Sequence, residues 1–172
     1  MAKITLYTFL ALILLVPPGC GGGGGGGSPA PLPMNKAIIL SANLAPGLTG
    51  TSQPIKAIEV TFTLPAAASV IHTNGALLIG ETGLKNLNNN GSVPSGSYDS
   101  ATGTVHFILL PTNIATTDLG TGDIARLTYE TTSGAELSPQ GIQPVYKVSG
   151  PGSVDISNEI VPSVRTVTYV KP

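Results

Sequence analysis

The chain has little with which to cross-link itself or hold a metal. Among 172 residues there is one cysteine, Cys20, and no tryptophan, and aromatic side chains make up 5%. A lone cysteine excludes a disulfide framework and any thiolate metal cluster within the chain. Charged residues amount to 10%, far below the roughly 25% usual in globular proteins. Eight basic and nine acidic side chains leave a formal charge of −1. There is no basic patch, so nucleic-acid binding has no electrostatic footing. No stretch sustains a 3.6-residue apolar period, and no internal repeat is visible. What is plentiful is glycine, with 22 residues, and proline, with 15. These are the two poorest helix formers, and they suit short strands joined by turns.

The first residues read as an address. Lys3 begins a positive end, and residues 4–16 (ITLYTFLALILLV) form a mainly apolar run. The run is shorter than the roughly 20 residues needed to span a bilayer, but fits the hydrophobic part of a secretory signal. PPGC follows. The segment resembles a bacterial lipoprotein signal, which implies cleavage between Gly19 and Cys20 and a lipid on the Cys20 thiol. Pro17 and Pro18 stand where that signal usually carries leucine and a small residue. The alternative is ordinary secretion with an incidental cysteine. Seven glycines and SPAPLP come next, a composition expected to make a flexible coil that stiffens at its proline end. Residues 1–19 thus read as signal, 20–35 as tether and 36–172 as one folded domain. Gly21 takes the place of the aspartate that often retains lipoproteins at the inner membrane, so the expected location is the outer membrane or cell surface.

Within the domain, KAIEVTFTLP (residues 56–65) alternates strictly. Ile58, Val60, Phe62 and Leu64 fall on one face, with Ala57, Glu59, Thr61 and Thr63 on the other. That is the period of a half-buried strand. Further strands are expected at residues 36–42, 76–80, 104–110, 123–130, 145–148, 153–157 and 164–170. LPAAASVI (64–71) is open between a helical turn and an extension of the strand. Asn-, Gly- and Ser-rich turns separate the strands at Asn88, Ser100, Gly120 and Ser149, supplying the positive-φ and Asx-turn positions that tight connections use. The pattern predicts an all-β sandwich of about eight or nine strands.

IKAIEVTFTLP, GTVHFILL and GTGDIARLTYE, the last placing Gly122, Asp123, Ile124, Ala125, Leu127 and Tyr129, resemble the cohesin-like domains of extracellular bacterial proteins. The resemblance covers roughly residues 36–170. It implies a jelly-roll sandwich that binds a protein module or a carbohydrate. No dockerin-like segment or catalytic domain accompanies it.

Chemistry-bearing residues are sparse. His72 and His106 share no metal-ligand spacing, and His106 falls on the face of its strand opposite Val105 and Phe107. Asp99, Asp118 and Asp123 lie beside Gly, Ser and Thr. Their oxygens suit Asx turns, with calcium, which wants six to eight of them, as the sharper alternative. No serine sits in G-x-S-x-G. No catalytic residue, cofactor or metal site is nominated. For sugar stacking, Tyr98, read as lying in a loop, is the exposed aromatic candidate. The leading expectation is a membrane-anchored, non-catalytic adhesion or scaffold module binding a protein partner. A polysaccharide-binding module is the alternative, and a hydrolase a more distant one.

Overall fold

A computed structural model describes residues 34–88 and 92–170. Cys20, the Gly19 cleavage position and the glycine run lie outside the described residues. Among those described there is no α-helix, in keeping with the all-β expectation. Eleven strands run in order: β1 Met34–Leu44, β2 Ala57–Thr63, β3 Ala68–Val70, β4 His72–Thr73, β5 Ala76–Leu77, β6 Leu84–Asn86, β7 Val93–Asp99, β8 Thr104–Leu110, β9 Gly122–Thr131, β10 Val145–Ser149 and β11 Ile160–Val170. Asn35, assigned to the tether by composition, is already paired within β1, opposite Tyr169.

The strands form two antiparallel sheets. One has the order β11-β1-β9-β3, with β6 continuing along the same edge of β9 as β3; the other has the order β10-β2-β8-β7-β5-β4. Only β4–β5 and β7–β8 are successive strands paired with each other. Every other connection passes from one sheet to the other.

The apolar alternation read from the sequence is the core. Ile58, Val60 and Phe62 from β2, Val105, Phe107 and Leu109 from β8, Ile38 and Leu40 from β1, and Leu127 and Tyr129 from β9 join one buried cluster. β1 lies between two neighbours, and the six residues from Ala37 to Ala42 are all buried. In β9 the register slips between Leu40 and Ser41 of β1: Leu40 faces Ala125, whereas Ser41 faces Asp123. The extra residue, Ile124, is a β-bulge. It lets the adjacent Ile124 and Ala125 both enter the core and returns Asp123 to the outer face, where Ser41 bonds it.

Three expectations are corrected. Residues 153–157 are not a strand: Ser157 donates to Asp155 through both its amide (2.9 Å) and its hydroxyl (2.6 Å), and this local bonding leaves only a single bridge, Ser149 to Asp155. In ALLIG (76–80) only Ala76–Leu77 is strand. The third concerns VPSGSYD, expected as loop, which is the seven-residue strand β7. Its inward positions are Pro94, Gly96 and Tyr98, so it shows no apolar alternation. Gly96 sits opposite Phe107. A Cβ there would lie 2.5 Å from the His106 carbonyl oxygen and 2.5 Å from the Phe107 Cβ. The space belongs to β8, so glycine is required. LPAAASVI resolves into a turn at Ala66 and Ala67 followed by β3.

Overpacked cores lose about 1–3 kcal/mol. Gly96→Ala is expected to destabilise the protein by at least that much, because backbone and not a movable side-chain tip blocks the methyl. Chemical denaturation checks this, and an unchanged midpoint would refute the packing assigned to β7.

Candidate interaction face

The outer faces of the two sheets differ in kind. On the five-stranded sheet the strands place Arg165, Ile39, Arg126 and Lys85 in one row. Arg126 lies 4.2 Å from the centre of the Tyr169 ring and bonds Glu81 at both its carbonyl (2.9 Å) and its carboxylate (2.6 Å). The Tyr169 hydroxyl donates to the same carbonyl at 3.0 Å and meets the Thr128 hydroxyl at 2.7 Å. Lys85 pairs with Glu81 as well. The long side chains therefore lie down along the sheet and cover it. Hydrogen bonds from Lys85 and then Arg126 hold the Glu81 carboxyl below its ordinary range.

Farther along this face, Asp123 accepts from the Ser41 hydroxyl at 2.7 Å and pairs with Arg165. Ser41 is the larger and Arg165 the smaller cause of a lowered Asp123 pKa. Ser41 is buried, so this carboxylate is tied to the sheet and not to a loop ligand.

The outer face of the six-stranded sheet is bare by comparison. Register places Lys147, Glu59, Ile108 and Ser95 in one row across β10, β2, β8 and β7. Val145, Thr61, His106 and Ser97 form the next, and Val93 faces Leu110 at the margin. Val145 is 70% exposed, Val93 65% and Leu110 41%. Between them lie Thr61, Ser95 and Ser97, too short to fold over the sheet as Arg126 does, together with Ile108, His106, Glu59 and Lys147. The charges here are Lys147, one pair in which His106 Nε2 lies 2.8 Å from Glu59, and Asp99 at the far end. The period-2 expectation for His106 therefore stands: it is half-exposed, opposite the core. Ser97 sits beside it in register, but among the described residues no side-chain hydrogen bond joins them.

The aspartates divide among ordinary roles. Asp99 closes the β7–β8 turn, accepting from the Ala101 amide and the Thr102 hydroxyl, each at 2.9 Å. Those bonds, the amide first, lower its pKa. Gly103 completes the turn at φ +71°. Asp118 pairs with Lys56 at 2.7 Å. Among the described residues no three His, Cys, Asp or Glu side chains converge on a metal position.

Tyr98 requires correction as a sugar-stacking candidate. It is 6% exposed, points inward from β7 and packs with its ring centre 5.2 Å from that of His72. The loop reading failed because Pro94 and Gly96 hid the strand. Tyr146 and Tyr129 are also in the core. Desolvation raises the Tyr146 hydroxyl well above the ordinary phenol value, and the Tyr129 hydroxyl accepts from the Leu137 amide at 3.0 Å. Tyr169 faces outward, under Arg126. The open face went unrecognised in the sequence because Val93, Leu110 and Val145 belong to three strands and each alone is an unremarkable apolar residue. In comparisons with protein families, curated proteins and solved structures, nothing matches this chain.

The lowered Asp123 pKa gives a signed expectation. A carboxylate whose folded-state pKa lies below its unfolded value contributes stability above the ordinary value of 3.8, and loses it as pH falls through the folded-state value. Ser41→Ala and Asp123→Asn should each shrink the fall in stability on acidification below that point, with little change in its slope near neutrality. Denaturation midpoints measured across the acid range check this; an unaltered acid limb would refute the coupling.

Proposed function

We propose that the protein is an exported, membrane-anchored, non-catalytic adhesion or scaffold module that binds a protein partner through the open face of its six-stranded sheet. One observation carries the reading. Of two outer faces built by the same chain, one is covered over its centre by its own Arg126, Tyr169, Glu81 and Lys85, with Val161 exposed towards one end, and the other leaves Val93, Leu110 and Val145 exposed. Val93 beside Leu110 at one corner, Ile108 at the centre and Val145 at the opposite corner offer a partner apolar anchors on a face with few charges. A cohesin-like jelly roll is the finer fold in this proposal, supported by the repeated passage of the chain between sheets.

The anchor in this reading is the lipid on Cys20, after cleavage at Gly19. A glycine tether would set the domain off an outer membrane and leave the sheet free to meet a partner. Polysaccharide binding is the alternative, and it would have to proceed without stacking on Tyr98.

The test is placement of a photo-crosslinking residue. Ile108, central on the open face, is expected to capture one specific protein in cells, and Ser69, exposed on the other sheet, is not. Val93→Asp with Leu110→Asp should weaken that partner's binding at least about tenfold, since apolar anchors dominate interfaces, while leaving the fold intact. Equal capture from both positions, or none, would overturn the protein-partner reading. Binding on a glycan array that survives the double variant would favour the alternative. Mass spectrometry of the processed protein should find diacylglycerol on Cys20, and Cys20→Ser should leave the membrane fraction.

A further inference from the structure

β11 is an edge strand of 11 residues, paired with β1 along its whole length and, among the described residues, with no strand on its other side. Which main-chain groups face that free side follows from two observations. The Ala45 amide donates to the Glu159 carbonyl at 2.8 Å, in register with the ladder that pairs Leu44 with Ile160. Since antiparallel bonding alternates along a strand, the odd-numbered residues of β11 bond β1 and the even-numbered ones face away. Pro162, which has no amide hydrogen, is even-numbered, and a proline is tolerated in an edge strand with its nitrogen turned outward. The amides and carbonyls of Val164, Thr166, Thr168 and Val170 therefore project from the free edge.

Long edges are normally blunted by lysine, inward charge, proline or a covering segment. β11 has no lysine, and its one charge, Arg165, is engaged by Asp123 on the outer face. Pro162 guards one end, and the loop carrying Pro139, Ile142 and Pro144 walls the edge beside Pro162, Ser163 and Val164. Beyond Val164 the contact to this strand from that connection is the Thr168 hydroxyl donating to the Glu136 carboxylate at 2.6 Å, and among the described residues no strand covers the main-chain groups there.

We propose that this edge pairs with β11 of a second copy of the chain, antiparallel about a two-fold axis at Val167, joining two five-stranded sheets into one. The strand is self-complementary in that register. Thr166 meets the partner's Thr168, and Val164 meets the partner's Val170; each of these pairs exchanges two main-chain hydrogen bonds. On the outer face Val167 meets the partner's Val167, and Arg165 lies against the partner's Tyr169. Hydroxyl meets hydroxyl, branched apolar meets branched apolar, and no like charges oppose each other directly, the three conditions that favour cross-strand pairs. A closed two-fold contact also uses up the β11 edge of each copy. The proposal concerns a different sheet from the open face and does not depend on it.

The protein as the cell processes it is to be sedimented in density-matched detergent across a micromolar range. The wild type is expected at twice the monomer mass. Thr166→Pro deletes a free-edge donor while leaving the β1–β11 ladder intact, as Pro162 does, and should sediment as monomer with an unchanged circular dichroism spectrum. Val167→Lys sets two ammonium groups on the axis and should also be monomeric, regaining the dimer as salt rises. A monomeric wild type, or a dimer that survives both substitutions, overturns the proposal. Should Thr166→Pro unfold, Val167→Lys decides it.

Discussion

The packing of one apolar layer holds the two sheets of this domain together, and every other feature depends on it. With Cys20 the only cysteine, no covalent tie can share the task. Phe107 is fully buried near the middle of that layer. Emptying a site of this kind costs about 3–5 kcal/mol, a large part of the roughly 5–15 kcal/mol that stabilises a whole domain. The same demand explains Gly96, whose missing side chain is space that β8 occupies, and the Ile124 bulge, which turns two consecutive residues inward where a regular strand would offer one.

The layer also explains the composition. A chain that alternates strictly between a core face and an outer face needs charge on only half its strand positions. This chain gathers arginine and its partners on one outer face, and on the other sets serine, threonine and apolar residues among fewer charges, Lys147, Glu59 and Asp99. The division is physical before it is functional. Arginine and tyrosine can lie flat and shield a sheet, whereas serine and threonine are too short to cover one, so the six-stranded sheet leaves Val93, Leu110 and Val145 exposed.

Strands whose inward positions are all apolar were legible in the sequence. β2 and β8 follow from Ile58, Val60 and Phe62 and from Val105, Phe107 and Leu109, and the placement of His106 came with them. β7 was not legible, since Pro94 and Gly96 give no period-2 signal; the reason for Gly96 lies in β8, not in its own neighbourhood. Residues 153–157 looked like a strand because Val154 and Ile156 alternate, but Asp155 and Ser157 found each other first. Tyr98 was misplaced through the same failure as β7. The pairing of Arg126 with Tyr169, and the meeting of Val93 with Leu110, depend on register between strands, which local pattern does not encode.

The position of β1 has a mechanical consequence. The described chain enters at Met34, the first residue of β1, and that strand is bonded to β11 on one side and β9 on the other. A pull applied along the chain from its amino-terminal side is taken up lengthwise by two ladders at once. Hydrogen bonds loaded lengthwise yield together, whereas bonds peeled from an end yield singly. The strand at the entrance is thus the one whose extraction demands the greatest simultaneous loss. A domain built this way resists being drawn out from its amino-terminal side.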